Sequence, residues 1–408
     1  MNRYIVLCLV ILNLFSCKEE NSKKEIFFKS GPWKASLEMQ DAMQLPFLFE
    51  VFDDQTLKIF NAEETIGVDE IEIKGDSVFI NFPVFEGYIA ARFIDSTTIS
   101  GSFIKESLDR IVPFKAVYGV KDRFEIISKP AADITGSWET VFSKNSDEDR
   151  YIAKGIFKQH GNVVTGTFRT TTGDYRYLEG VLNKNELQLS TFDGAHAFLF
   201  TAKVTDSILD GYFYSGNHWK EPFLAKRNEQ YQLPSEDSLT FIKEGYDKLA
   251  FSFPDYKGNQ ISLADKRFKD KVTIVQIMGT WCPNCMDETK YFVSYYNQNK
   301  DKDIAFVALA FEYAKTPEKA FKSIEKLRAK LQVEYPILLA QYGSSDKQKA
   351  QEKLPMLNHI LSYPTTIFID KKGAVRKIHT GFNGPATGQK YKDYKNEFES
   401  FVNQLLKE

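Results

Sequence analysis

The chain has 408 residues, with 53 Lys and Arg against 55 Asp and Glu and a formal net charge of −2. That balance carries no basic stripe, which excludes nucleic acid as an expected partner. Four cysteines over this length exclude a disulfide scaffold, so the folds must rest on apolar cores, and the length suggests two or three domains.

Residues 1–17 read as an export segment: Arg3, an apolar run from Tyr4 to Phe15, then Ser16 and Cys17. The run is too short to span a bilayer comfortably, and polar sequence follows at once. Leu14-Phe15-Ser16-Cys17 resembles a bacterial lipobox, which implies cleavage before Cys17, acylation of that residue and attachment to a membrane by lipid. An ordinary signal peptide with an incidental cysteine is the alternative. Residues 18–25 are a polar tether. Within it Lys18-Glu19-Glu20 resembles the surface-export signal of some Bacteroidetes lipoproteins, although a solvated tether accounts for it equally well. The expected location is the cell envelope, lipid-anchored in the periplasm or on the outer-membrane surface.

Residues 26–228 read as β structure. Phe47–Val51, Ser77–Phe82, Asn162–Phe168 and Glu186–Leu189 alternate apolar and polar positions between turn signals, and helical spacing is nearly absent. Phe (34) and Tyr (20) are frequent, as strand packing favours. An internal repeat divides the region into units over 26–128 and 129–228. Gly31-Pro32-Trp33 answers to Gly136-Ser137-Trp138, and Ala91–Phe103 answers to Ala202–Phe213. Each unit is long enough for one small meander or barrel. The opening Gly-x-Trp loosely resembles the first strand of lipocalin-like barrels, where the Trp plugs one end. Two units side by side, or one sandwich made of both, fit the repeat.

Residues 229–248 read as a linker, and the pattern changes over 249–408. Val272–Met278 is a buried-strand run, and residues after Cys282 read as a helix to about Asn297. Ile304–Phe311 is a second strand. Thr316-Pro317-Glu318 opens a helix with a capping Thr and Pro in the first turn. Thr365–Asp370 and Val375–His379 flank a turn, and Tyr391–Leu406 is a final amphipathic helix. Strands alternating with helices predict an α/β domain with a central sheet covered on both faces. The fold class is therefore multidomain: a β-rich N-terminal region and a C-terminal α/β domain.

Trp281-Cys282-Pro283-Asn284-Cys285 lies between the first strand of this domain and its first helix. With Cys8 and Cys17 in the export segment, Cys282 and Cys285 are the only thiols of the mature body. A lone Cys-x-x-Cys without a second pair or spaced histidines is a poor zinc site and a good redox dithiol. No metal or cofactor is expected. A cysteine just before a helix gains from the dipole and the free backbone N–H groups. Cys282 is thus the attacking thiol, and Cys285, about one turn in, the resolving one. Pro283 suits the first turn. A static staple is the bland reading, and so small a loop constrains the unfolded chain little.

Gly279-Thr280-Trp281-Cys282-Pro283-Asn284-Cys285, followed by Glu288, resembles the thioredoxin-like branch that contains TlpA and ResA, membrane-tethered thiol-disulfide oxidoreductases. The likeness covers about Leu249 to Lys407. It implies a thioredoxin-like fold and a redox-active disulfide between Cys282 and Cys285. It also implies that Tyr363-Pro364-Thr365 is the family's cis-proline segment, with Pro364 cis and abutting the dithiol. The backbone of Tyr363 would then pair with an incoming peptide, so Trp281, Pro283, Tyr363 and Thr365 are expected to line the client site. Gln276 stands where thioredoxin carries a buried Asp, and Glu288 matches the carboxylate implicated in the TlpA/ResA branch. Positions 285 and 288 share a helix face, so Glu288 is a candidate proton relay for Cys285. A solvated helix charge, flanked by Asp287 and Lys290, is the alternative.

About fifty residues between Phe311 and Pro364 exceed thioredoxin's own spacing and are expected to shape the substrate surface. Gly381–Gly388 lacks phosphate-loop spacing and reads as a loop beside the active site. The five histidines show no metal-ligand spacing, and the acidic run Ser146–Asp149 reads as a solvated loop.

The expected function is a membrane-tethered thiol-disulfide oxidoreductase, a reductase from the resemblance. Its expected partners are client proteins with cysteine thiols or disulfides and a separate electron donor. Two other classes compete. A thiol peroxidase of peroxiredoxin type shares the fold, but its cysteine follows Thr-x-x, whereas Thr280 stands two residues before Cys282. An envelope binding lipoprotein would use the β-rich half to hold a partner.

Overall fold

A computed structural model describes residues 28–408. Cys17, the export segment and the whole tether lie outside the described residues.

The two repeats form two separate nine-stranded antiparallel sheets, each curled on itself. In the first, strand Gly31–Glu38 pairs with both Gln44–Val51 and the last strand, Arg110–Tyr118. The meander curls into a barrel that stays open between Glu64–Val68 and Glu70–Lys74. In the second, Gly136–Phe142 pairs with Tyr151–His160 and Trp219–Arg227. Val163–Thr170 then joins Tyr151–His160 to Leu178–Asn183, and the ring closes. A closed ring removes the exposed edges that a two-residue alternation would otherwise leave.

The repeat has a physical basis in the two tryptophans. Trp33 and Trp138 are wholly buried. Each indole N–H donates to the carbonyl four residues earlier, Lys29 at 2.8 Å and Ile134 at 2.9 Å, so a large ring is buried with its polar atom satisfied. The abundant phenylalanines pack inward: Phe142, Phe157, Phe168, Phe200 and Phe223 fill the second barrel. The barrels meet where Phe47 stacks on Phe192 at 4.3 Å and Asn61 donates to the Phe192 carbonyl at 2.9 Å.

The C-terminal sheet has five strands in the order Ile337–Gln341, Ile304–Phe311, Val272–Met278, Thr365–Ile369 and Val375–Thr380. The first three are mutually parallel, Thr365–Ile369 runs antiparallel to Val272–Met278, and Val375–Thr380 runs antiparallel to Thr365–Ile369. Every residue of Val272–Met278 is buried, as a central strand covered on both faces requires. Ile274 and Met278 pack on one side with Phe292 and Phe398, from the helices Pro283–Gln298 and Gln389–Lys407. Val275 and Ile277 pack on the other with Leu354, Leu357 and Ile360. The insert expected to shape the substrate surface therefore spends residues 350–360 on the core under the sheet. Thr316 caps the helix Pro317–Leu331, accepting from the Lys319 N–H at 3.3 Å.

The segment expected as a linker is packed along the last strand and the insert. Asp237 faces His379 at 2.8 Å and Lys377 at 2.7 Å, Thr380 donates to Thr240 at 2.8 Å, and Ile242 bridges to Leu357.

Candidate active site

The central strand ends at Met278, and the tight Gly279–Thr280 turn delivers Trp281 and Cys282 to the start of the helix Pro283–Gln298. Cys282 is the N-cap residue, and its Sγ accepts from the Cys285 N–H at 3.1 Å. That bond satisfies one of the orphan donors of the first turn and puts the sulfur at the positive end of the helix dipole. Cys282 and Cys285 are joined as a disulfide with Cα atoms 5.2 Å apart. Cys282 keeps 6% of its surface and Cys285 none, so only the first sulfur is open to attack.

Residues far apart in sequence complete the surroundings. The Tyr363–Pro364 bond is cis, and the Tyr363 carbonyl oxygen lies 3.5 Å from Cys282 Sγ. Thr365 donates to the Ser362 carbonyl at 2.9 Å. Trp281 donates to the Phe311 carbonyl at 2.9 Å, stacks on Tyr313 at 4.0 Å and meets Tyr363 edge-on at 5.4 Å. Pro283 is buried at the first helical position. The structure thus gathers Trp281, Cys282, Pro283, Cys285, Tyr363 and Thr365 around one disulfide.

Glu288 lies one turn beyond Cys285 and is wholly buried, not solvated. It accepts from Gln276 at 2.9 Å, Thr366 at 2.8 Å and Tyr394 at 3.0 Å. Burial pushes its carboxyl up to about 7, and these hydrogen bonds hold the rise in check. Thr289 links this network back to the Cys285 carbonyl at 2.8 Å. Gln276 therefore orients the carboxylate rather than replacing it. Thr366 and Tyr394 escaped the sequence reading because they come from a strand and a helix about 80 and 110 residues downstream of it. Glu312 was missed likewise. It is buried, accepts from the Thr280 N–H at 2.8 Å and hydroxyl at 2.6 Å, and is pushed up to about 7 by burial.

The largest departure from expectation is the second barrel, which walls one side of the dithiol. Asn284, between the two cysteines, donates to the Asp174 carbonyl at 3.0 Å and its carboxylate at 3.1 Å. Ser362 donates to the Thr172 carbonyl at 2.8 Å, and Arg169 to Asn383 at 3.0 Å. A Cβ on Gly173 would stand 2.7 Å from Asn284 Nδ2, and one on Gly381 would stand 2.5 Å from the Thr172 carbonyl carbon; both residues also have left-handed φ, 140° and 80°. Glycine is thus required on each side of this contact. The Gly381–Gly388 loop does lie beside the site, as its Phe382 carbonyl faces Asn284 at 3.4 Å.

Beneath that contact, Arg176 is buried among carboxylates from three parts of the chain. It bonds Asp287 of the dithiol helix and Glu64 of the first barrel, and its Nε is 3.0 Å from Asp193. Burial works against its charge, but Asp287, Glu64, Asp193 and Asp174 outweigh it and hold the guanidinium firmly protonated. Asp174 is itself pushed up to about 7 by burial, against the pull of Arg176. His379 Nδ1 lies 2.8 Å from the Asp237 carboxylate. Among the described residues no three His, Cys, Asp or Glu side chains are placed to hold a metal ion.

The Redoxin family matches residues 244–396, the span that carries the dithiol, the cis peptide and the five-stranded sheet. This part of the chain is a Redoxin domain. Its relatives include the thioredoxin-like protein YneN of Bacillus subtilis, 29% identical over 140 residues, 34% of this chain and 73% of that protein. The thiol-disulfide oxidoreductase ResA of Geobacillus kaustophilus is 27% identical over 131 residues, 32% of this chain and 66% of that one. Among solved structures, the thioredoxin domain of a thiol-disulfide oxidoreductase from Bacteroides vulgatus is 24% identical, covering 40% of this chain and 99% of that one at a TM-score of 0.29. With its Cys282–Cys285 disulfide, the Redoxin domain makes this chain a thiol-disulfide oxidoreductase.

Proposed function

We propose that the protein is a lipid-anchored reductase of protein disulfides outside the cytoplasm, with Cys282 as nucleophile and Cys285 as resolving thiol. The observation that carries the assignment is the asymmetry of the pair. One sulfur caps the helix and keeps a little exposure, while its partner is buried above the Glu288 network.

In the reduced protein the Cys282 thiolate attacks one sulfur of a client disulfide. A mixed disulfide forms, and the client's other sulfur leaves as a thiolate that takes a proton from water. The Glu288 carboxylate accepts the proton of Cys285, whose thiolate then attacks Cys282 Sγ. That step releases the second client thiolate and leaves the Cys282–Cys285 disulfide, so two electrons have passed to the client. A membrane dithiol carrier restores the reduced pair. The reducing direction rests on the resemblance to the TlpA/ResA branch. Attachment through Cys17 rests on Leu14–Cys17.

Cys282→Ala removes exchange, and Cys285→Ala accumulates mixed disulfides with clients through Cys282; full turnover by the Cys282→Ala protein would sink the mechanism. The reduction potential against glutathione fixes the direction. A value near or below about −250 mV is expected, and one near about −120 mV would make the protein an oxidant. Cys17→Ala is expected to move the protein from the membrane to the soluble fraction.

A further inference from the structure

The second barrel walls one side of the dithiol, and a charged cleft lies beyond the other. Thr172–Asp174 closes the side of Cys282 formed by Asn284, Ser362 and Gly381. On the other side Trp281 stacks on Tyr313, and a small recess of about 10 Å³ bounded by Thr280, Trp281, Glu312, Tyr313, Glu86 and Ser107 lies beside the stack. Through Glu86, Ser107 and Ala314 it adjoins a cleft of about 990 Å³ between the first barrel and the helix Pro317–Leu331.

Six cations line this cleft against four carboxylates. Three lysines of the Redoxin domain pair across it with the first barrel: Lys315 with Asp109 at 2.9 Å, Lys319 with Glu106 at 3.4 Å and Lys326 with Glu70 at 3.2 Å. Lys105 donates to the Ala195 carbonyl at 3.0 Å and lies near Glu86, whose carboxylate is bonded by Ser107. Among the described residues Arg110 and Lys322 pair with no carboxylate. Arg110 also stands directly opposite Lys105 in the antiparallel register, an arrangement of like charges that folding alone disfavours. An anionic occupant relieves both costs.

We propose that this cleft is the client-docking surface and that it selects an extended, acidic segment of a client protein, carrying the client sulfur past Trp281 to Cys282. The inference rests on the oxidoreductase reading and adds the class of client to it. Carboxylates of the client meet Arg110 and Lys322 directly and compete with Asp109 and Glu106 for their lysines. Attraction of this kind speeds encounter and weakens with salt.

The test uses two peptides of equal length, one acidic and one basic, each with a single cysteine capped by glutathione as a mixed disulfide. Pre-reduced protein is mixed with each in single-turnover experiments, followed by Trp fluorescence, and reduction of glutathione disulfide is measured in parallel. The acidic peptide is expected to half-saturate the wild-type protein at about tenfold lower concentration, with the preference fading in high salt. Arg110→Glu combined with Lys322→Glu is expected to reverse the order of the two peptides, an outcome that also shows the variant is folded. Equal half-saturation in the wild type, or an unaltered order in the variant, overturns the inference while glutathione disulfide is still reduced. If the wild-type protein reduces neither peptide nor glutathione disulfide, the oxidoreductase reading falls first and the docking proposal falls with it.

Discussion

Asn284, one of the two residues between the cysteines, gives its side-chain N–H groups to Asp174 of the second barrel at 3.0 and 3.1 Å. A barrel residue 110 positions upstream thus holds the centre of the Cys-x-x-Cys motif, and the β-rich half forms a wall beside the dithiol. Gly173 permits the approach. Gly173→Ala puts a Cβ at a position with φ of 140° and within 2.7 Å of Asn284 Nδ2. The expected result is a loosened wall and several-fold faster alkylation of Cys282 by iodoacetamide in the reduced protein. An unchanged rate with an unchanged melting temperature would show that the wall does not limit access.

Arg176 ties this wall together. Arg176→Ala leaves Asp287, Glu64 and Asp193 buried without their counter-ion, which costs about 3–5 kcal/mol. Urea unfolding at neutral pH measures it, and the loss is expected to shrink in mild acid, where the carboxyls can protonate. By contrast Lys330→Ala breaks an exposed pair with Asp69 and is expected to change stability by less than about 1 kcal/mol.

The buried acids predict how stability follows pH. Glu288 rises from 4.5 to about 7 on folding, with burial as the cause, and Glu312 and Asp174 move the same way. A carboxyl whose folded value is raised binds its proton more tightly in the native state. Its stabilising contribution is complete below about 4.5, declines as pH rises and is lost above about 7. For Glu288 the difference is about 3 kcal/mol. Denaturation midpoints measured from pH 4.5 to 8 are expected to fall in the wild-type protein and to fall less in Glu288→Gln.

The same carboxyl predicts the pH profile of resolution. In its proposed role as base for Cys285, Glu288 would act when ionised, so the rate of mixed-disulfide resolution is expected to rise through about pH 7. Glu288→Gln is expected to slow that step by about a hundredfold and to remove this limb. Tyr394→Phe takes away one of its three donors, lifts the carboxyl further and moves the limb to higher pH. A stopped-flow pH series on both variants separates this from a merely structural role, which would leave the limb in place.

Much was legible in the sequence because it is written in local pattern. Two-residue alternation and the repeated Gly-x-Trp marked the two β units, whose tryptophans are buried in the same way. A capping Thr and a first-turn Pro marked the helix Pro317–Leu331, and Cys-x-x-Cys before a helix pattern marked the dithiol. Local spacing also put Glu288 on the face of Cys285. Whether that carboxylate was solvated or buried, and therefore whether its proton was available near neutrality, depended on Thr366 and Tyr394, which only folding brings to it. The same holds for Arg176 and Asp174. In sequence they are ordinary charged residues of a β-rich stretch, and nothing in their neighbours announces a partner 110 residues away. Sequence alone determined the elements and the neighbouring cysteines that pair, since these follow from backbone propensity and near-neighbour chemistry. Tertiary structure decided what encloses the pair and which charges meet, since burial and ion pairing act between segments that only the packed fold juxtaposes.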